Sequence, residues 1–85
     1  MASYKLQIKP SAVKELEALP PKERRRIVSR IQKLATDPRP SGSERLTGQQ
    51  LFRVRQGNYR ILYAIEDAEL VLVVVKIGHR RDVYR

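Results

Sequence analysis

Cysteine is absent from these 85 residues, so neither a disulfide nor a thiolate-bound zinc can hold the chain together. Long apolar runs are missing too. The apolar stretch 70–75 is far too short to cross a bilayer as a helix, and the first residues, Met1-Ala2-Ser3-Tyr4-Lys5-Leu6, lack the apolar core of a secretory leader. The cytoplasm is therefore the expected compartment. Carboxylates are scarce: nine Asp and Glu stand against eighteen Lys and Arg, a formal net charge of +9, and none lies between Arg45 and Ile65. Such a surplus attracts polyanions and makes association salt-sensitive, which points to nucleic acid or an acidic protein as partner. A membrane surface is not expected, because the cations do not back a free helix with bulky apolar residues opposite. Internal repeats and low-complexity tracts are also absent.

What is present fits one small domain, residues 1–85. The length suits a single core, and 41% apolar residues can fill it. Tyr4, Leu6 and Ile8 alternate with polar residues at the two-residue period of a half-buried strand over 4–9, which Pro10 ends. Ser11 can cap a short helix to Leu19, with Val13, Leu16 and Leu19 on one side, before Pro20 and Pro21 stop it. Pro21 suits the first turn of a second helix to about Thr36, in which Ile27, Ile31, Leu34 and Ala35 recur at helical spacing. Residues 37–43 are rich in breakers and read as an irregular connection. Three strands are predicted at 51–55, 59–66 and 70–77, separated by the turns Gln56-Gly57-Asn58 and Asp67-Ala68. The expected fold is α+β, in the order β-α-α-β-β-β: a small antiparallel sheet with the two helices on one face.

Arg45, Arg53, Arg55 and Arg60 populate the acid-free segment, and Arg80, Arg81 and Arg85 the end. Arg53 and Arg55 are two apart on a predicted strand and share a face that Val54 does not, so with Val54 inward both arginines face solvent. The turn should bring Arg60 near Arg55. Such a cluster repels itself unless an anion is present; guanidinium groups bind phosphate through paired hydrogen bonds and stabilise charge developing at phosphorus. A solvated face kept for solubility is the plainer reading. The closing His79, Arg80, Arg81 and Tyr84 gather an imidazole, guanidiniums and a phenol, though a loop histidine and a packed tyrosine would look the same. Arg24, Arg25, Arg26, Arg30 and Lys33 are the solvent face of the second helix, or a contact to ribosomal RNA. Glu66, Asp67 and Glu69 fall at a turn and read as turn and edge polarity, so no catalytic metal and no cofactor is expected.

Taken in order after two helices, Leu51-Phe52-Arg53-Val54-Arg55, Gly57-Asn58-Tyr59-Arg60-Ile61-Leu62-Tyr63 and Ile77-Gly78-His79-Arg80-Arg81-Asp82-Val83-Tyr84 resemble the RelE branch of the RelE/ParE toxin superfamily over nearly the whole chain. The resemblance implies a RelE-like fold and the toxin of a type II toxin–antitoxin system: a ribosome-dependent endoribonuclease that enters the A site of the 70S particle and cuts messenger RNA. It also implies a cognate antitoxin, bound in a hetero-oligomer. Position by position, Arg53, Arg55 and Arg60 match the family's basic strand residues, while Arg80 and Tyr84 match its terminal arginine and tyrosine. Some members carry lysines at the positions of Arg53 and Arg55, and an arginine there can clamp but cannot give up a proton.

The implied chemistry is metal-free attack of a 2′-hydroxyl on the adjacent phosphate. Arg60, Arg80 and Tyr84 are then the catalytic set, and Arg45, Arg53, Arg55, His79 and Arg81 hold RNA. A free phenol has a pKa of about 10 and is rarely ionised at pH 7; neighbouring cations would lower it, and His79 is the competing proton carrier. A ParE-like inhibitor of DNA gyrase and a non-catalytic RNA-binding module are the rival readings, the first sharing the fold.

Overall fold

The computed structural model describes residues 3–46, 48 and 50–79. Its elements run β1 (Lys5–Ile8), α1 (Pro10–Glu17), α2 (Pro21–Thr36), β2 (Glu44–Arg45), β3 (Phe52–Gln56), β4 (Tyr59–Glu66) and β5 (Val71–His79). The strands form one sheet in the order β1-β5-β4-β3-β2. Three pairings are antiparallel, as the short connections require, whereas β1 lies parallel to β5 along its outer edge. The α+β architecture with two helices on one sheet face stands, with a short β2 and this parallel edge added to the expected strands.

The helices bury what their spacing offers. In α2, Ile27, Ile31 and Leu34 point to the sheet and meet Val54, Ile61, Tyr63, Leu72, Val74 and Ile77 in a continuous core, and Ala35 is buried beside them in sequence. In α1 the inward face sits one position from the expected one: Ala12 is fully buried and Val13 exposed, so the inward side is Ala12, Leu16 and Leu19. Nor does Ser11 cap this helix, which starts at Pro10 with Lys9 before it and no side-chain cap. Proline needs no amide partner in a first turn and carries a preset φ, which makes the cap dispensable.

Turn chemistry fixes the register. Gly57 takes φ +61 while Asn58 stays at negative φ, the pattern of a II′ hairpin turn that aligns Gln56 with Tyr59 and Arg55 with Arg60. Leu70 takes φ +53 and closes the next turn, so β5 starts one residue later than expected. Tyr63 pairs with Val74 but Leu62 with Lys76, leaving Val75 as the extra residue of a bulge. The bulge is why Val74 and Ile77, three apart, both face the core.

Where β1 ends, β5 loses its neighbour: the last paired residue is Val74, whose carbonyl accepts from the Lys9 amide at 3.0 Å. Glu15 of α1 takes over. Its Oε1 accepts from the Ile77 amide at 3.1 Å and its Oε2 from the Lys76 ammonium at 2.8 Å, so one carboxylate closes an otherwise bare strand edge. Glu15→Ala is expected to lower stability by about 1–3 kcal/mol in urea unfolding, because it orphans a part-buried amide and a cation together. Glu15→Gln, which still offers a carbonyl to Ile77, should restore part of the loss.

The connection after α2 is tied across the end of the sheet. The Tyr63 hydroxyl donates to the Pro38 carbonyl at 2.8 Å. Arg39 lies over the Phe52 ring at 5.3 Å and forks onto Asp67 at 2.8 and 3.3 Å, while Tyr4 donates to the same carboxylate at 2.7 Å. The Arg39 guanidinium and the Tyr4 hydroxyl hold the Asp67 carboxyl below its ordinary pKa. Asp67 is thus a turn residue with a structural task, as its place in the sequence suggested.

Candidate nucleic-acid interface

With the helices on one side, alternation along β3 and β4 sorts the basic residues. Val54 and Ile61, opposite each other, are fully buried toward the helices, so Arg53, Arg55, Arg60 and Leu62 project from the other face. Arg55 and Arg60 are direct cross-strand partners, which places their Cβ atoms about 5 Å apart. Two guanidinium groups so placed repel in the absence of an anion and together offer up to ten N–H donors to one. On the far side of Arg60 the register position is Gly78, which adds no side chain to crowd an incoming phosphate.

Arg53 departs from the expectation of a solvated arginine. Its side chain is only 13% exposed and pairs with Glu44 of β2, the residue just before the acid-free segment begins. The interface therefore has one carboxylate at its rim that the sequence did not connect with it, because β2 was not foreseen. Arg55 is the exposed cation of the set and Arg60 is partly buried.

Two further expected contacts lie elsewhere. His79 is the register partner of Tyr59 and meets its ring edge-on, with centroids 5.8 Å apart. Both belong to the helix side, where they line a hollow with Glu23, Arg26, Gly57 and Asn58. The imidazole is thus on the opposite face from Arg55 and Arg60, which weakens its candidacy as their proton carrier. Arg45 pairs with Phe52 and lines a depression with Arg39 and Asp67 at the far end of the sheet. Arg80, Arg81 and Tyr84 lie outside the described residues; the described part of β5 ends at His79, one residue past the partner of Arg60.

On the helix side a second basic surface is present. Lys22, Arg25, Arg26, Ser29, Arg30 and Lys33 line an open groove with Gln56 from the end of β3. No helix among the described residues is long and apolar enough to cross a membrane.

Comparison with known proteins agrees with this architecture. The family profile described as the ParE toxin of the type II toxin–antitoxin system parDE matches residues 6–84. The toxin RelG of Mycobacterium tuberculosis is 31% identical over 86 aligned residues, covering 96% of this chain and 97% of that one. Among solved structures, the archaeal RelE–RelB complex from Pyrococcus horikoshii superposes with a TM-score of 0.83 at 28% identity, over 95% of this chain and 99% of the other. The toxin–antitoxin complex RelBE2 from Mycobacterium tuberculosis does so with a TM-score of 0.82 at 28% identity, over 96% and 97%.

Proposed function

We propose, from the premise that the chain belongs to the RelE/ParE superfamily of type II toxin–antitoxin toxins, that it is a ribosome-dependent endoribonuclease that cuts messenger RNA in the A site. The observation that carries this reading is the direct Arg55–Arg60 pairing on the sheet face that the helices leave open, beside Gly78. A gyrase inhibitor acting by protein contact has no evident use for two arginines set side by side on an open sheet face.

In the reaction, the ribose 2′-oxygen attacks the adjacent phosphorus and the bond to the 5′-oxygen breaks, leaving a 2′,3′-cyclic phosphate and a 5′-hydroxyl. A base takes the 2′-proton and an acid returns one to the leaving oxygen. Arg60 faces the phosphate and stabilises its growing charge, and Arg55 grips the strand backbone, joined by Arg53 where the RNA displaces Glu44 from it. By the family resemblance, Arg80 binds the same phosphate and Tyr84 moves the proton. The ribosome supplies in-line alignment, worth a large share of the barrier. An antitoxin with acidic and apolar residues covers the basic face, as RelB accompanies the solved archaeal relative.

The test is incubation of the purified protein with 70S ribosomes carrying a defined message, followed by mapping of the ends. Cuts confined to the A-site codon and ending in cyclic phosphate are expected. Folded protein that leaves the message intact but blocks gyrase supercoiling would establish the second reading, which the ParE description of the matching profile motivates.

A further inference from the structure

Apart from Arg24, which reaches back to the Glu17 carbonyl, the cations of α2 are not scattered round the helix. Residues 22, 25, 26, 29, 30 and 33 follow the three- and four-residue steps of a single stripe, and all of them line the groove closed on its other side by Gln56. Lys22 and Lys33 are eleven positions apart, which at the helical rise makes the stripe about 16 Å long. Among the described residues no carboxylate lines it; Glu23, just outside, meets Arg26 at 3.7 Å. Inside the groove the Arg30 Nε is buried and has no acceptor among the described residues. A buried donor without an acceptor is costly, and a ligand oxygen would remove that cost.

The lining also restricts the ligand. With no apolar or aromatic member among the described residues, it lacks the anchors of a protein-binding groove and the stacking platforms that single strands use. At about 350 Å³ it is open and polar, unlike the enclosed apolar pockets that hold small molecules. A row of cations with flexible stems suits successive phosphates along a regular backbone.

We propose that the α2–β3 groove is a second nucleic-acid site, one that binds the phosphate backbone of double-stranded RNA through Lys22, Arg25, Arg30 and Lys33, on the side of the molecule opposite the Arg55–Arg60 face. The choice of RNA over DNA rests on the ribonuclease reading; the site itself does not. One face would then hold the strand to be cut while the other docks on a folded RNA.

The experiment measures anisotropy of a labelled 2′-O-methyl RNA duplex, which cannot undergo 2′-hydroxyl attack, so binding is read apart from cleavage. The triple variant Lys22→Ala, Arg25→Ala, Lys33→Ala alters only exposed side chains and should keep the fold. It is expected to bind the duplex at least about tenfold more weakly, with the salt slope reduced by about one for each cation removed. Arg30→Ala should weaken binding in the same direction, and Lys14→Ala, which removes an exposed cation of α1 away from both basic surfaces, should leave duplex affinity near wild type. Wild-type duplex binding by the triple variant overturns the proposal, as does an equal loss per cation in Lys14→Ala. So does a preference for duplex DNA, or displacement by polyglutamate as effective as displacement by unlabelled duplex at equal charge. A protein that fails to cut messages yet loses duplex binding in the triple variant would refute the ribonuclease reading and leave this site standing.

Discussion

Arg60→Ala is expected to slow A-site cleavage by about 10²–10³-fold with the fold intact, the loss that follows removal of one well-placed donor to a developing oxyanion. The argument is positional. Arg60 stands on the sheet face away from the core, between Arg55 on one neighbouring strand and Gly78 on the other, so its removal opens no cavity among the residues packed against the helices. It also relieves a like-charge pair, so thermal unfolding should show at most a small loss of stability. Arg60→Lys should recover only a small part of the rate, because an ammonium group keeps the charge and loses the fork that grips two phosphate oxygens. Arg55→Ala, by contrast, should act mainly on the concentration of ribosome complex needed for half-maximal rate, since Arg55 is more exposed and holds the backbone rather than the reacting phosphate. Single-turnover cleavage at saturating complex separates the two. Wild-type turnover by Arg60→Ala would remove the β3–β4 face from the chemistry.

Much of this face is legible in the sequence, and the reason is local. Two residues of turn chemistry, Gly57 and Asn58, set the β3–β4 register, and a period of two then decides which arginines share a side. The α2 core stripe was legible for a similar reason, since Ile27, Ile31 and Leu34 state their face through spacing alone. The basic stripe of α2 was visible as cations. Its assembly into one groove was not, because Gln56 reaches it from a distant strand.

What escaped the sequence depends on contacts between remote segments. The parallel seat of β1 against β5 joins residues more than sixty positions apart and leaves no trace in either strand's pattern. The Val75 bulge hides in a run, Val71 to Val75, whose residues suit either face. Glu15 looks like any helix glutamate until β1 is seen to end short of Ile77. Glu44 belongs to the same class: its pairing with Arg53 requires β2, a strand of two residues with no hydrophobic signal. Each is a tertiary solution to an unpaired edge or charge, and sequence periodicity carries information about neither.

Tyr63→Ala is expected to be the most damaging single change to stability among those considered, costing about 3–5 kcal/mol. For a domain whose total is about 5–15 kcal/mol, that is enough to leave a sizeable unfolded fraction near physiological temperature, with about 4–8 °C lost from the melting temperature per kcal/mol. The ring is fully buried, stacks on Phe52 with centroids 5.9 Å apart, and packs in the cluster that joins α2 to the sheet. Its hydroxyl anchors Pro38, and through it the loop whose Arg39 reaches Asp67. Tyr63→Phe keeps the ring and removes only the hydroxyl donor, so it should cost about 1 kcal/mol, and the gap between the two variants measures the packing. Burial also pushes the Tyr63 phenol above its ordinary pKa. The sign follows from linkage: with the folded value raised, the neutral phenol's contribution is complete below the unfolded pKa of about 10 and is lost as pH rises from there toward the folded value. Alkaline unfolding of the wild type should therefore begin near pH 10, and Tyr63→Phe, which has no proton to lose, should flatten that part of the profile. A profile equally steep in both proteins would assign the alkaline loss to other groups and leave Tyr63 as a packing residue alone.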